Sequence, residues 1–134
     1  MNTLIHRILY ALLPLEGYLR VVSRLFFVFQ RLGIGRRTPA MEYVRHLPQL
    51  VRKDDVCIDI GANLGYYART LARLVGPAGC VHAVEPVEPI RKVLNRNLRR
   101  CSNVTVHPFA LGTENKPVSM GNDSVRKTGY LGTG

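Results

Sequence analysis

Short apolar runs, separated by glycine, proline and acidic turns, set the frame of this chain. Val56-Cys57-Ile58-Asp59-Ile60 is an almost unbroken apolar pentad between the turn Asp54-Asp55 and Gly61. So little polar alternation suits a parallel strand covered by helices on both faces. Residues 66–75 switch to helical spacing, with Ala68, Leu71, Ala72 and Val75 on one stripe and Arg69 and Arg73 outward. Gly76, Pro77 and Gly79 end that helix. Cys80 to Glu85 reads as a second strand, and Val104 to His107 as a third. Between them Pro89 opens a helix that buries Ile90, Val93, Leu94 and Leu98. Its basic residues Arg91, Lys92, Arg96, Arg99 and Arg100 are expected on the solvent side, gathered towards the C-terminus where they suit the helix dipole. The predicted order is β-α-β-α-β, with right-handed crossovers, three parallel strands and helices on the two faces.

Upstream, the pattern is helical but less regular. In Met1 to Leu32 the apolar runs are short, and Pro14 and Gly17 divide the segment into two helices. Val21, Val22, Leu25, Phe26, Phe29 and Leu32 gather on one side of the second helix, with Arg20, Arg24 and Arg31 mainly elsewhere. A spanning helix needs about 20 largely apolar residues, and neither run reaches that. No small-x-small cleavage site follows Leu13, so a signal peptide is a weak reading. Two readings compete for this arm: it packs on the chain's own domain, or it lies in a membrane interface with its arginines near anionic headgroups. Gly33 to Arg37 forms a turn-rich basic linker. Thr38 then caps a short helix with Pro39 at its first position, running from Ala40 to Leu47 until Pro48 interrupts it.

Charge separates the two regions. The 134-residue chain carries +10. Residues 1–53 hold nine Lys and Arg against two Glu, a net of +7, so the excess belongs to the arm. Its basic residues alternate with Leu, Val and Phe rather than forming a dense run, which argues against a nucleic-acid partner. Cys57, Cys80 and Cys101 are odd in number and widely spaced. They read as apolar fillers in a reducing, cytoplasmic setting, with the arm as a route to the inner membrane face. His6, His46, His82 and His107 have no metal-ligand spacing and no metal is expected.

The candidate chemistry lies at the carboxyl ends of the first two strands, where α/β folds hold nucleosides. Gly61 and Gly65 let the loop turn tightly and approach a ligand. Asp59 is placed to order that loop or to meet a cationic group, and Asn63 lies within the loop. Glu85 ends the second strand, 20 residues beyond Gly65, where a carboxylate can accept hydrogen bonds from both ribose hydroxyls. The loop is D-x-G-x-N-x-G rather than G-x-G-x-x-G and lacks a phosphate-loop ending, which disfavours a nicotinamide-dependent oxidoreductase. A ribose-bearing cofactor without phosphate fits better. S-adenosylmethionine meets that description, and its sulfonium makes nearby carboxylates sensible.

These residues carry a family resemblance. Val56–Tyr67 resembles the first motif of the FkbM-type methyltransferases, and His82-Ala83-Val84-Glu85-Pro86, the helix with Leu94, Asn95, Asn97 and Leu98, and Asn103–Gly112 continue the match over roughly residues 40–120. The resemblance implies an α/β, Rossmann-like class I methyltransferase fold and methyl transfer to a hydroxyl of a sugar or other small metabolite. It also implies that Asp59, Gly61, Asn63 and Gly65 line the methionine side of S-adenosylmethionine. Glu85 would then hold the ribose, with Pro86 and Phe109 or Ala110 near the adenine. On this reading residues 1–37 are a basic amphipathic arm and residues 38–134 a partial cofactor-binding domain, the first three strands of a longer sheet. No residue stands out as a catalytic base, and His107 is better explained by local packing. The rival class is a non-catalytic interaction or membrane-associated remnant of the same half-fold.

Overall fold

A computed structural model describes residues 9–34, 39–114, 116 and 117, and the side chains at 39–42 lie outside that description. Thr38, the linker at 35–37 and the tail from 118 onward also fall outside it. A short helical stretch at 9–12 precedes α1 (Leu15–Leu32) and α2 (Pro39–Leu50). Then follow β1 (Val56–Ile60), α3 (Ala68–Val75), β2 (Cys80–Val84), α4 (Glu88–Leu98) and β3 (Val104–His107).

The strands are parallel in the order β1-β2-β3, with Ile58 opposite His82 and His82 opposite Thr105. Side chains alternate across each strand, so this register fixes the two faces of the sheet. Cys57, Val81, Ala83, Val104 and Val106 face the helices and pack with Ala68, Leu71, Ala72 and Val75 of α3 and Leu94 and Leu98 of α4. The opposite face is open along β1, where Val56, Ile58 and Ile60 are 68%, 63% and 67% exposed. Among the described residues the helices therefore lie on one face only, not on both as expected. Each right-handed crossover moves one strand further in the same lateral direction, and that puts both connecting helices on the same side. Only a reversal of strand order would send a helix to the other face.

The arm helix α1 belongs to the covered side. Tyr18 and Leu19 are buried against Leu64, Ile90 and Val93. Phe26 stacks on Tyr66 at 3.9 Å between ring centroids, and the Arg69 guanidinium lies 4.6 Å from the Phe27 ring. Gln30 Nε2 donates to Thr70 Oγ1 at 3.3 Å. These contacts fall on the side of α1 that carries Tyr18, Leu19, Ser23, Phe26 and Phe27, so the stripe expected from periodicity meets the domain through Val22 and Phe26, while Val28 and Leu32 are exposed. Arg20 and Glu16 form an ion pair along the helix. Among the described residues no helix is long and apolar enough to cross a membrane.

Two boundaries differ from expectation. α2 runs through Pro48 to Leu50: the proline forfeits its own N–H and crowds the Val44 carbonyl, but it sits in the last turn, where few bonds remain to be lost, and Val51 N–H still reaches Leu47 O at 2.9 Å. α3 starts at Ala68 rather than Tyr66, since residues 63–67 remain in turns that form the glycine loop.

The two loop glycines do different work. Gly65 has φ +87°, and a Cβ there would lie 2.9 Å from Leu94 Cδ1 of the buried helix face. Gly61 has φ +75° with nothing within 4 Å of a Cβ. Gly65 is therefore a packing glycine as well as a turn glycine, and Gly61 alone faces open space. Gly65→Ala should lower stability by about 2–4 kcal/mol, combining left-handed strain with overpacking. Gly61→Ala should cost about 1–2 kcal/mol, from strain only. Urea denaturation of the two variants checks the ranking, and equal losses would refute it.

Candidate cofactor site

The site is assembled where the loop after β1 meets the end of β2. The turn is held by backbone bonds: Gly61 N–H and Ala62 N–H both donate to Val84 O, at 3.0 and 2.9 Å. Asn63 sits in the left-handed region at φ 50°, which an asparagine tolerates better than most residues. This geometry turns the Asn63 N–H towards β2, where it donates to Glu85 Oε2 at 2.9 Å. The other carboxylate oxygen, Oε1, accepts from Val87 N–H at 2.9 Å. Glu85 is only 5% exposed. Two backbone amides satisfy one lone pair on each oxygen and leave one on each for a ligand.

Asp59 lies on the helix-facing side of β1 and is half-buried. Burial pushes its carboxyl up to about 6, the Ala68 N–H at the start of α3 lowers it in part, and the Glu85 charge raises it further. Its Oδ2 is buried and has no hydrogen-bond partner, and the same holds for Asn63 Oδ1. Two orphaned acceptors four residues apart in the chain call for donors, and a cationic donor would also relieve the burial of the carboxylate.

The expected site residues thus divide. Asp59, Gly61, Asn63, Gly65 and Glu85 come together at one rim, joined by the Asn63–Glu85 bond. Pro86 follows Glu85 directly and offers its carbonyl to Arg91. Phe109 and Ala110 are exposed beyond the end of β3. His107, just before them in the chain, accepts from Glu85 N–H through its carbonyl at 3.0 Å, and no contact joins Phe109 or Ala110 to the other expected site residues among the described ones. The Phe109 ring packs on His107, 5.2 Å between centroids. His107 also meets His82, Nε2 to Nδ1 at 3.0 Å, which is the local packing expected of it. The three cysteines are unpaired and partly exposed rather than fully buried. Among the described residues no group of three His, Cys, Asp or Glu could hold a metal.

Three supporting residues escaped the sequence reading. Arg91 is not on the solvent side: its Nη1 donates to Glu85 O at 3.1 Å and to Pro86 O at 2.7 Å. Asn97 Nδ2 donates to Leu64 O at 2.8 Å. Asn103 Nδ2 caps α3 through Ala72 O and Gly76 O, both at 2.8 Å. Arg91 did leave a signal, since a cation near the start of a helix opposes the dipole and needs some other reason to be there.

A parallel β-α-β-α-β unit with a glycine loop after its first strand and a buried carboxylate at the tip of its second is the arrangement of a partial Rossmann-like α/β fold. The sequence is similar to protein-L-isoaspartate O-methyltransferases. It is 30% identical over 96 residues to the enzyme of Archaeoglobus fulgidus, covering 70% of this chain and 40% of that one. It is 27% identical over 95 residues to that of Ignicoccus hospitalis, covering 69% and 40%. A solved S-adenosylmethionine-dependent O-methyltransferase from Thermotoga maritima superposes with a TM-score of 0.48 at 28% identity, over 56% of this chain and 31% of that one. The similarity is thus to S-adenosylmethionine-dependent methyltransferases broadly, not to the FkbM type specifically. No family model matches the chain. The chain spans about a third to two fifths of the length of the first curated relatives it matches, 34% to 40%.

Asp59 makes the site pH-sensitive. Its folded value, about 6, lies above the usual 3.8, so the native state holds the proton more tightly and stability falls as pH rises between those values. Asp59→Asn should abolish that slope and be about 1–3 kcal/mol more stable than the parent at neutral pH. Urea midpoints of both proteins at about pH 4.5 and about pH 7.5 test this, and parallel pH dependences would refute it.

Proposed function

We propose that this chain forms the S-adenosylmethionine-binding half of a class I methyltransferase that methylates oxygen. The observation that carries the reading is the clamp of Glu85 on the glycine loop, with the orphaned acceptors Asp59 Oδ2 and Asn63 Oδ1 beside it. Glu85 offers its two remaining lone pairs to the ribose hydroxyls. Asp59 and Asn63 receive the donor hydrogens of the cofactor's amino group, and the charge on that group offsets the buried carboxylate. Gly61, open above its Cα, lets the backbone approach the methionine portion. Pro86 and the rim at Phe109 and Ala110 border the adenine. When bound, S-adenosylmethionine supplies a methyl group on a sulfonium, open to in-line attack by an acceptor oxygen. The chain's own contribution is orientation of the donor.

The remaining half of the fold would cover the open face at Val56, Ile58 and Ile60 and pair the free side of β1, which among the described residues is bonded only to β2. The D-x-G-A-N-x-G-Y-Y loop and its FkbM-like continuation support a hydroxyl acceptor on a sugar or small metabolite. A second reading, an isoaspartyl carboxylate, is supported by the names of the curated relatives. Both are oxygen acceptors, and the segment matched is the one that grips the cofactor.

Calorimetry with S-adenosylhomocysteine tests the proposal. The chain should bind it, and Glu85→Ala should weaken binding by about tenfold to a hundredfold through loss of charge-assisted hydrogen bonds. Equal affinity for parent and variant would sink the reading in favour of a non-catalytic role, and preference for a nicotinamide dinucleotide would sink it in favour of an oxidoreductase.

A further inference from the structure

Resting on that reading of the site, we infer that Arg91 and Asn97 are positioning residues, through which α4 holds both walls of the cofactor site in register. The two walls come from different loops. One is the turn Gly61–Gly65 after β1, and the other is Glu85-Pro86 after β2. The Asn63–Glu85 bond joins them directly, but it is a single backbone-to-carboxylate contact 2.9 Å long, and a ligand competing for the carboxylate would load it.

α4 supplies a second connection. Arg91 Nη1 bridges the carbonyls of Glu85 and Pro86, fixing the two peptide planes on either side of the Pro86 Cα. Two turns on, Asn97 Nδ2 holds Leu64 O in the middle of the glycine loop. Between them Leu94, fully buried, lies under Gly65. Positions 91, 94 and 97 are three apart, so they lie along one slowly turning row of the helix. A rigid helix therefore spaces the two walls as a ruler would.

The chemistry of the two side chains supports this role over a purely structural one. Glu88, the carboxylate nearest in sequence, is paired with Lys92 at 2.9 Å, and Arg91 spends its donors on carbonyls instead. A cation in the first turns of a helix is unfavourable against the dipole, by about 0.3–1 kcal/mol, so the two carbonyl contacts must outweigh that cost. A leucine or lysine pointing to water would serve the helix itself at least as well.

The test uses the full chain with S-adenosylhomocysteine as probe. Arg91→Ala and Asn97→Ala should each raise Kd by about fivefold to tenfold. Arg91→Lys should recover part of the loss, because an ammonium can still donate to a carbonyl. Arg96→Ala, on the exposed side of the same helix, should bind as the parent does. Without ligand, the amide NMR signals of Asn63 and Val87, the two donors to Glu85, should shift in Arg91→Ala and Asn97→Ala, while those of Val81 and Ala83 within β2 stay in place. A merely structural role would move both sets or neither. If Arg91→Ala does not fold, Arg91→Gln and Asn97→Ala carry the same comparison. Parent-like affinity and unmoved Asn63 and Val87 signals, alongside weakened binding in Glu85→Ala, would overturn the inference and leave the cofactor reading standing. A parent chain that takes up no probe would remove the cofactor reading, and the inference about its walls with it.

Discussion

The Glu85 carboxylate is the joint on which the rest of the architecture depends. A parallel sheet brings the carboxyl ends of β1 and β2 side by side, but beyond the bonds of Gly61 and Ala62 N–H to Val84 O no ladder continues between their loops. Glu85 solves this by accepting one backbone N–H from each loop, Asn63 on one side and Val87 on the other. Backbone amides at fixed positions order a carboxylate better than flexible side chains would. Because the group is buried, its bonds act in a poorly screened environment and are stronger than they would be at the surface. The left-handed turn at Asn63 and the positive φ at Gly65 are the local conformations that aim the first amide at it.

Much of this was legible in the residues. The pentad at 56–60, the glycines after it and the carboxylate closing the second strand carry their own conformational instructions, and the three strands fall where apolar runs end in turn residues. What escaped was set by long-range geometry. Periodicity assigns a residue to an inside or an outside, so it could place Leu94 and Leu98 but not detect that Arg91 curls back to two carbonyls. It also ascribed Gly65 to ligand approach, when the nearest atom to its missing Cβ belongs to Leu94. The side on which the helices gather depends on the direction of successive crossovers, a property of the path rather than of any single segment.

The arm shows the same limit from another angle. A helix with a strong apolar side fits a membrane interface and a protein surface equally well by composition, and periodicity does not reveal whether the chain itself offers a complementary surface. Here Leu64, Ile90 and Val93 provide one, while Tyr66, just past the glycine loop, receives the Phe26 ring. The arm consequently presses on the same segment, residues 64–66, that the loop uses to reach Glu85. Packing of the helix and order of the loop are therefore expected to rise and fall together.

The one-sided sheet has a chemical corollary. Cys57 and Cys80 stand on adjacent strands but on opposite sides, the first towards the helices and the second beside His82 on the side that carries Ile58 and Ile60. Burial raises the Cys57 thiol above its ordinary range, which disfavours the thiolate that electrophiles attack. The sheet therefore carries a sulfur marker on each side, and Cys80, directly opposite Val56, marks the end of the open face where that strand pair begins.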